Sequence, residues 1–434
     1  MVSTLLAPRK GTRYTDDLTG AEAKGRTDRP LPAWPLYCLL YGFPAIWALG
    51  LGQFAPTILA YIMIFYMIVR KNIVVFKTQW IWLALTLWCI ISSVSLHGGT
   101  DILAWGLRFV VIFNAGVYSL YFINARERIT NQGILGGLLT VWYTVVVLGW
   151  LALFFPEFRL ATPMSMIMPG GLVSNELVKD YVMPPLAEIQ LPWGAPEPYI
   201  RPSAPFPYAN SWGLAFTFLT PVVIAVMSAA DKLRTKIILT VSIIAGLIPA
   251  IATSNRGMFI GLAICIVYVI FRQVIAGNLK VALYAVIAAA AAIIGLVTSG
   301  ALEQILGRQE YSDSTGGRAS LYQATWDAVL ESPLIGYGTS RMNVTIGVSM
   351  GTQGYMWALM FCFGLVGLAL FVAFMLYSIG STWGVQSDTG IWLHSVPVTA
   401  ICVFIFYSFD TMQMASMMLC LSVMMRSMIY KEGI

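Results

Sequence analysis

Three arginines lie at the edges of long apolar runs, where an unpaired charge is costly. Arg201 comes just before one run, Arg256 lies in the narrow gap between two runs, and Arg318 opens a short polar segment. Guanidinium stays charged, and its forked N–H donors match phosphate oxygens. The three arginines therefore predict a phosphate or diphosphate site. The competing interpretation is that they reach lipid headgroups or pair with nearby acids.

The stretch "ATSNRGMF", residues 252–259, surrounds Arg256 with groups that suit an anion. Ser254 and Asn255 add hydrogen-bond donors, and Gly257 allows the backbone to approach a ligand closely. The apolar run that follows predicts a helix, whose free N–H groups in the first turn favour a negative charge. These features together favour a phosphate clamp at this turn.

Other ionisable residues lie within or between the apolar runs. Arg108 is in the middle of a run, so we expect it to pair internally, to point into a cavity or to contact a substrate. Asp410 lies in a tight turn, where it is expected to cap the next helix, with acid–base chemistry as the alternative. His97 and His394 are expected to be structural.

The composition places these residues in a membrane protein. Of the 434 residues, 58% are hydrophobic and only 11% are charged, against about 25% charged in an ordinary soluble domain. A spanning helix needs about 20 residues, and the apolar runs predict about twelve spans, the first two short enough to form one re-entrant hairpin. We predict an all-α polytopic fold with spans near residues 34–50, 54–69, 79–96, 102–122, 134–155, 209–228, 236–253, 257–272, 280–298, 354–380, 391–409 and 412–428.

The basic residues predict the orientation of these spans. If the N-terminus is inside, the inner segments hold most of the 26 Lys and Arg residues, as the positive-inside rule requires. Both termini are then cytoplasmic, and the three arginines face the extracytoplasmic side. Residues 1–33 are expected to be a disordered cytoplasmic tail, and 34–434 a single transmembrane domain.

Two long outer loops carry most of the polar content. The first, 156–208, holds eleven of the 21 prolines, so turns or contact with the membrane surface must order it. The second, 299–353, predicts a short amphipathic helix that begins after Gly317 and ends before Pro333. Its apolar face is expected to contain Tyr322, Trp326, Val329 and Leu330.

The sequence favours neither a metal centre nor an ion-coupled transporter. Two histidines and six cysteines have no metal-ligand spacing, so no metal or cofactor is expected. The spans are nearly free of the acids and lysines that ion-coupled transporters place at mid-membrane depth. Nothing indicates a nucleic-acid partner. Membrane lipids are the partners that the composition implies.

Four motifs in order resemble the O-antigen ligase and polymerase family of bacterial membrane glycosyltransferases. "GRASLYQATWDAVLESPLIGYG" and "GTQGYMWALMFCFGLVGLALF" resemble its Gly-Arg, Trp-containing helix, Pro-x-x-Gly-x-Gly and Gly-x-x-Gly span. "RPSAPFPYANSWG" resembles its arginine followed by a Pro-Asn element, and "SNRG" its Ser-Arg-Gly turn. The resemblance covers roughly 200–375, and before that it is only one of topology.

The resemblance implies a cell-envelope enzyme of polysaccharide biosynthesis in the bacterial inner membrane. Such enzymes take a saccharide from a polyprenyl diphosphate, such as undecaprenyl diphosphate, at the outer leaflet. They transfer it to an acceptor sugar hydroxyl with inversion and without a metal. By this resemblance Arg201 and Arg256 bind the diphosphate, with Arg318 a third candidate, and Asn210, Ser254 and Asn255 contact substrate.

One position departs from the family pattern. The ligases carry a histidine in the polar motif before the Gly-x-x-Gly span, and here Gln353 stands at that place. Glutamine can orient a hydroxyl but cannot accept its proton. The base is then a carboxylate, Glu310, Asp313 or Asp410, or the transition state needs no strong base, or the chain does not catalyse transfer. A flippase for a lipid-linked oligosaccharide and a lipid-binding scaffold remain the alternatives to a transferase.

Overall fold

Helices dominate the computed structural model of this chain, which describes residues 29–173, 176–191, 197–298, 300, 314–345 and 347–433. Most of the predicted tail, and the candidates Glu310 and Asp313, lie outside the described residues. The helices are α1 Trp34–Tyr41, α2 Phe43–Ala48, α3 Ala55–Arg70, α4 Lys77–Ile91, α5 Gly99–Asn124, α6 Asn131–Phe154, α7 Pro163–Ile167, α8 Gly170–Val173, α9 Glu176–Val182, α10 Ala209–Ala229, α11 Leu233–Ala252, α12 Arg256–Ile275, α13 Leu279–Thr298, α14 Ser314–Glu331, α15 Tyr355–Thr382, α16 Asp388–Val403 and α17 Thr411–Tyr430. The strands are β1 Ala187–Gln190, β2 Tyr199–Pro202, β3 Met342–Asn343 and β4 Val348–Ser349, paired as two antiparallel hairpins.

Eight helical segments of the described chain are long and apolar enough to cross a membrane, which makes this a multi-pass membrane protein. The count of about twelve spans and the orientation stay predictions. The eight segments are α4 with the 3-10 turn after it, α5, α6, α10, α11, α12, α15 and α17.

The first predicted span, 34–50, forms two short helices instead of one. α1 ends at Tyr41, and α2 begins at Phe43 with Pro44 in its first turn. Proline has no N–H to donate and collides with the carbonyl four residues earlier, so the helix cannot run on through Gly42. Neither piece alone reaches the roughly 30 Å of a hydrocarbon core at about 1.5 Å per residue.

The core of the helix bundle is built around α17. In its spanning window 83% of the residues are buried, and the Ser422 hydroxyl lies 2.7 Å from that of Ser119 on α5. At one end, buried Arg426 donates to the carbonyls of Phe122 and Ile129 and pairs with Glu432. This end contains none of the candidate site residues, which gather at the opposite end.

A break in α15 shapes that opposite end. Gly364 has φ 69° and ψ −179°, outside the helical region. The backbone of 333–338 enters the gap: Leu365 N–H donates to Pro333 O at 2.7 Å, and Tyr337 N–H donates to Phe361 O at 2.9 Å. A Cβ on Gly364 would lie 1.9 Å from the Leu334 carbonyl oxygen. The "PLIGYG" motif is therefore the docking segment for the broken helix.

Helix α14 differs from its prediction in its start. It ends at Glu331, before Pro333 as expected, but begins at Ser314. Its buried positions are Leu321, Thr325 and Val329, whereas Trp326 and Leu330 are 43% and 56% exposed. Of the predicted apolar face, Val329 is buried and Tyr322 stacks on Trp357 of α15, with ring centroids 4.4 Å apart.

The proline-rich segment 156–208 contains short helices and the β1–β2 hairpin. In that hairpin Glu188 is the register partner of Arg201. Ser203 N–H and Ala204 N–H both donate to the Leu186 carbonyl at 3.1 Å, which continues the pairing beyond the strands. The hairpin thereby brings Arg201 to the N-terminus of α10.

Candidate functional site

Arg201 is buried, with 3% of its surface exposed, and fixed on every side of its guanidinium. Nε donates to Thr253 O at 2.8 Å, Nη2 to Asn210 Oδ1 at 3.1 Å, and Nη1 to Glu188 Oε2 at 3.4 Å. Burial lowers the pKa of Arg201, Glu188 opposes this, and nearby Arg318 adds to it. One cation is thus held in place by a carbonyl, an amide and a single carboxylate.

Glu188 offsets the charge of Arg201 only in part. Its Oε2 also accepts from the Ala209 N–H at 3.2 Å, at the start of α10. The distance from Arg201 Nη1 to Glu188 Oε2 is 3.4 Å, longer than the roughly 2.7–2.9 Å of a strong charge-assisted hydrogen bond. The carboxylate is shared between the helix N-terminus and the guanidinium, which leaves positive potential at this point.

The turn at 253–256 places unused donors beside Arg201. Asn255 caps α12, since its Oδ1 accepts from the Met258 N–H at 3.4 Å. Ser254 Oγ and Asn255 Nδ2 are buried and have no hydrogen-bond partner among the described residues, an arrangement that costs about 1–3 kcal/mol for each unmet group. Ser254 has φ 48°, a left-handed conformation that is unfavourable for serine. Half-buried Arg256 is the first residue of α12.

Tyr407 links this turn to the arginines. Its hydroxyl donates to Asn255 Oδ1 at 2.5 Å, and its ring lies 3.0 Å from the position that a Cβ on Gly257 would take. Burial raises the pKa of Tyr407, while the bond with Asn255 and the charges of Arg201 and Arg318 lower it. Both arginines are therefore close enough to the buried Tyr407 hydroxyl to influence its pKa electrostatically.

Arg318 and Gln353 approach the same region through Tyr322. The Tyr322 hydroxyl donates to the Gln353 carbonyl at 3.1 Å. Burial raises the pKa of Tyr322, and Arg318 lowers it. The Gln353 side chain is half-buried, so it stays accessible to a small molecule.

A cavity of about 330 Å³ is lined in part by Ser408, Phe409 and Asp410 of the 404–410 turn. Its walls are mainly aromatic and aliphatic, and Arg108 and Asp410 are its charged lining residues. Such walls with a few placed polar groups are typical of small-molecule sites. The polar lining residues are Gln53, Arg108, Tyr181, Tyr208, Ser340, Thr352, Tyr355, Ser408, Asp410 and Thr411.

Asp410 does not cap the helix that follows it, so the expected capping role is wrong. The side chain makes no cap hydrogen bond to α17, and Oδ2 is shielded from solvent without a partner among the described residues. Burial raises the pKa of Asp410, and a hydrogen bond with Ser211 lowers it. A carboxylate with a raised pKa is the more effective proton acceptor.

Arg108 lines the same cavity from α5. Nη1 donates to Thr339 Oγ1 at 3.1 Å and Ala104 O at 3.3 Å, and Nη2 donates to Ser340 Oγ at 2.8 Å. No acidic side chain lies within ion-pair distance of Arg108 in the described part of the chain. Of the alternatives that the sequence offered, the cavity is observed, whereas the internal partners are neutral hydrogen-bond acceptors and form no ion pair.

The two histidines lie outside both groups of residues. His394 is buried in α16, with Nε2 3.0 Å from the Ile379 carbonyl and Nδ1 bonded to the Tyr268 hydroxyl. The backbone N–H of His97 donates to Asp101 Oδ2 at 3.2 Å. In the described ranges, no three His, Cys, Asp or Glu side chains form a group that could hold a metal ion.

One known protein family is similar to part of this chain. Residues 240–372 match the family model described as O-antigen ligase. Over these residues the chain is similar to the O-antigen ligase family. No curated protein matches the chain.

The range matched by the family model contains only part of the candidate site. Ser254, Asn255, Arg256, Arg318 and Gln353 lie inside the matched range. Arg201 and Asn210 precede the matched range, and Asp410 follows it. These three residues are brought near the matched range by the fold. The family suggests a glycosyltransferase-like enzyme, with a lipid-linked sugar and a polysaccharide acceptor as its general partners.

Several residues that complete the candidate site are not recognisable from the sequence. Glu188 could have been found from the alternation of "AEIQ" and "YIRP" around a proline-rich turn, which favours a hairpin. Tyr407 and Tyr355 carry no such signal, because a tyrosine in an apolar run is most often a packing residue. Their roles follow from tertiary contacts alone.

Proposed function

We propose that the protein is an integral-membrane glycosyltransferase that transfers a saccharide from a polyprenyl diphosphate carrier to an acceptor sugar hydroxyl. The single observation that carries the proposal is the convergence of Arg201, Asn210 and the 253–256 turn, with unused donors on Ser254 and Asn255. The O-antigen ligase match over 240–372 supports the reaction class. The bias of basic residues supports an active site at the outer leaflet.

The arginines serve the leaving group in this proposal. When the bond between the anomeric carbon and the phosphate oxygen breaks, its electron pair stays on the diphosphate. Donors that are already oriented toward that developing charge stabilise the transition state without reorganisation. Arg201 is held rigidly by Thr253 and Asn210, and Arg256 and Arg318 supply further positive charge.

Asp410 is the group proposed to take the acceptor proton. The acceptor oxygen attacks the anomeric carbon from the face opposite the diphosphate, its O–H bond breaks, and the proton passes to Asp410 Oδ2. A single displacement of this kind inverts the anomeric configuration. Asp410 lines the cavity beside Thr352 and Tyr355, and Gln353, next in the chain to Thr352, is proposed to orient the hydroxyl.

The test uses purified protein in detergent with a synthetic polyprenyl diphosphate saccharide and a saccharide acceptor. Formation of the transferred product together with free polyprenyl diphosphate is expected, and a flippase yields neither where no leaflet exists. Asp410→Asn should slow transfer by about 100-fold or more, the low end for loss of a general base. Asp410 has a raised pKa, so the wild-type rate should rise with pH through a value above that of an ordinary aspartate, and Asp410→Asn should lack this limb.

Asp327→Asn is the matched control, because Asp327 lies on the exposed face of α14. It should transfer at the wild-type rate. Normal transfer by Asp410→Asn would remove Asp410 as the base. The absence of product with every lipid-linked donor supplied would refute the transferase proposal itself.

A further inference from the structure

The charge of Arg108 is not offset by the protein around it. Helix α5, which carries it, is long and apolar enough to cross a membrane. The three groups that accept from its guanidinium are a carbonyl and two hydroxyls. All are neutral, and a cation in such surroundings is costly unless an anion joins it. Arg201 differs, because Glu188 stands beside it.

The guanidinium of Arg108 also has N–H groups that make no hydrogen bond among the described residues. Nη1 donates both of its hydrogens, to Ala104 O and Thr339 Oγ1, and Nη2 donates one, to Ser340 Oγ. Guanidinium has five N–H donors, so Nε–H and one Nη2–H remain among the described contacts. Adjacent donors of this kind bind a carboxylate through both of its oxygens.

The cavity beside Arg108 has further polar groups without partners. Tyr355 Oη and Asp410 Oδ2 are both shielded and lack hydrogen-bond partners in the described part of the chain, and both residues line the cavity. Tyr355 is 8% exposed. A small polyhydroxylated molecule would satisfy these groups, and rings such as Trp47 and Tyr208 would cover its flat faces.

We propose that this cavity binds a saccharide and that Arg108 selects one that carries a carboxylate, such as a hexuronic acid. The inference rests on the proposed function for the role of the bound sugar as a transfer substrate. Arg108 and Asp410 form no ion pair, so the Asp410 carboxylate does not occupy the donors of Arg108. The titratable groups that share the cavity with them are Tyr181, Tyr208 and Tyr355.

The experiment measures binding of octyl β-D-glucuronide and octyl β-D-glucoside to the full chain in nanodiscs, by saturation-transfer NMR titration. The two ligands share the sugar ring and the alkyl chain and differ only in the carboxylate. Wild-type protein should bind the glucuronide about tenfold more tightly or better, as expected for a charge-assisted hydrogen bond. Arg108→Gln should abolish that preference and leave glucoside binding within about twofold, since the uncharged contacts persist.

Two control variants and a competition measurement show whether the preference depends on the Arg108 side chain. Arg108→Lys keeps the charge and should retain part of the preference, and Arg234→Gln, at an exposed position, should retain all of it. Inorganic diphosphate should compete weakly with the glucuronide. Strong competition that disappears in Arg108→Gln would overturn the proposal and make Arg108 part of the phosphate site.

Equal affinities for the two glycosides in wild-type protein would overturn the proposal without any variant, even if Arg108→Gln failed to fold. A preference that survives in well-folded Arg108→Gln would also overturn it. The measurement needs no turnover. Charge-selective binding by a protein that never transfers sugar would therefore refute the proposed function while leaving this site intact.

Discussion

Arg201 and Arg108 lie at the same end of the helix bundle but are held by opposite kinds of partner. Arg201 is buried beside a carboxylate, a side-chain amide and a backbone carbonyl. Arg108 donates only to neutral groups and lines a cavity. A cation with a built-in counter-charge is a permanent part of the framework. A cation without one depends on its ligand for that counter-charge.

This difference suggests a division of labour between the two regions. A diphosphate is common to every polyprenyl-linked donor, so a rigid, partly neutralised group such as Arg201 suits it. The sugar varies between donors and acceptors, so Arg108, which has no acidic partner in the described chain, suits recognition of the sugar. Asp410 lines the same cavity as Arg108, and Gln353 follows its lining residue Thr352, so a proposed acceptor hydroxyl would meet the anomeric carbon at this cavity.

The largest expected effect comes from Arg201. Arg201→Ala should lower transfer by about 100- to 1000-fold, the cost of losing an oriented donor to a developing negative charge, and the loss should be the same for neutral and acidic sugars. Arg201→Lys should recover little, because lysine lacks the fork. Initial rates with paired neutral and acidic lipid-linked donors check this.

The control for Arg201→Ala is Arg159→Ala, in the same proline-rich segment. Arg159 is 40% exposed in its ion pair with Asp180, and exposed pairs contribute roughly 0–1 kcal/mol, so activity and thermal stability should hardly change. A loss in Arg201→Ala that depends on the charge of the sugar would break the proposed division between the two regions.

A smaller effect is expected from Gly364→Ala, which should disturb the cavity more than the diphosphate site. A Cβ would meet the Leu334 carbonyl oxygen at 1.9 Å, and φ is 69°, so we expect a loss of about 1–3 kcal/mol. The segment 333–338 leads directly to Thr339 and Ser340, which hold Arg108. Preference for an acidic sugar should therefore fall, with diphosphate binding preserved.

Gly380→Ala is the matched control in the same helix, where an added Cβ meets nothing within 4 Å. Thermal unfolding and the glucuronide titration should distinguish the two variants. Equal stability of Gly364→Ala and Gly380→Ala would mean that the broken helix accepts a side chain by shifting. In that case the docking of 333–338 does not fix Arg108.

The sequence predicted the helical membrane class and the O-antigen ligase resemblance, because both depend on local composition and on motifs that stay together in the chain. The break in α15 was not predictable in the same way. "FCFGLVG" reads as continuous helix, and only the backbone of 333–338 lying against it explains the conformation of Gly364.

Pairing across the chain limited the prediction of the site. Arg201 was predicted from its type and position. Glu188 is brought beside it by a hairpin, and Tyr407 is bonded to Asn255, which is 152 residues away in the sequence. The assignment of Asp410 as a helix cap was reasonable from its place before α17. It was wrong because the carboxylate points to Ser211 and the cavity instead of the helix N-terminus.

The smallest expected effect is that of Gln353, next in the chain to the cavity residue Thr352. Its side chain can orient a hydroxyl but cannot hold its proton, so Gln353→Ala should lower transfer by about three- to tenfold, the value of one hydrogen bond. Gln323→Ala, on the exposed face of α14, should have no effect. In an Asp410→Asn background, Gln353→His should restore part of the rate, because imidazole can accept a proton where the amide cannot. A loss of about 100-fold or more in Gln353→Ala alone would place proton removal at Gln353, and Asp410 would then be a cavity residue without a role in the chemical step.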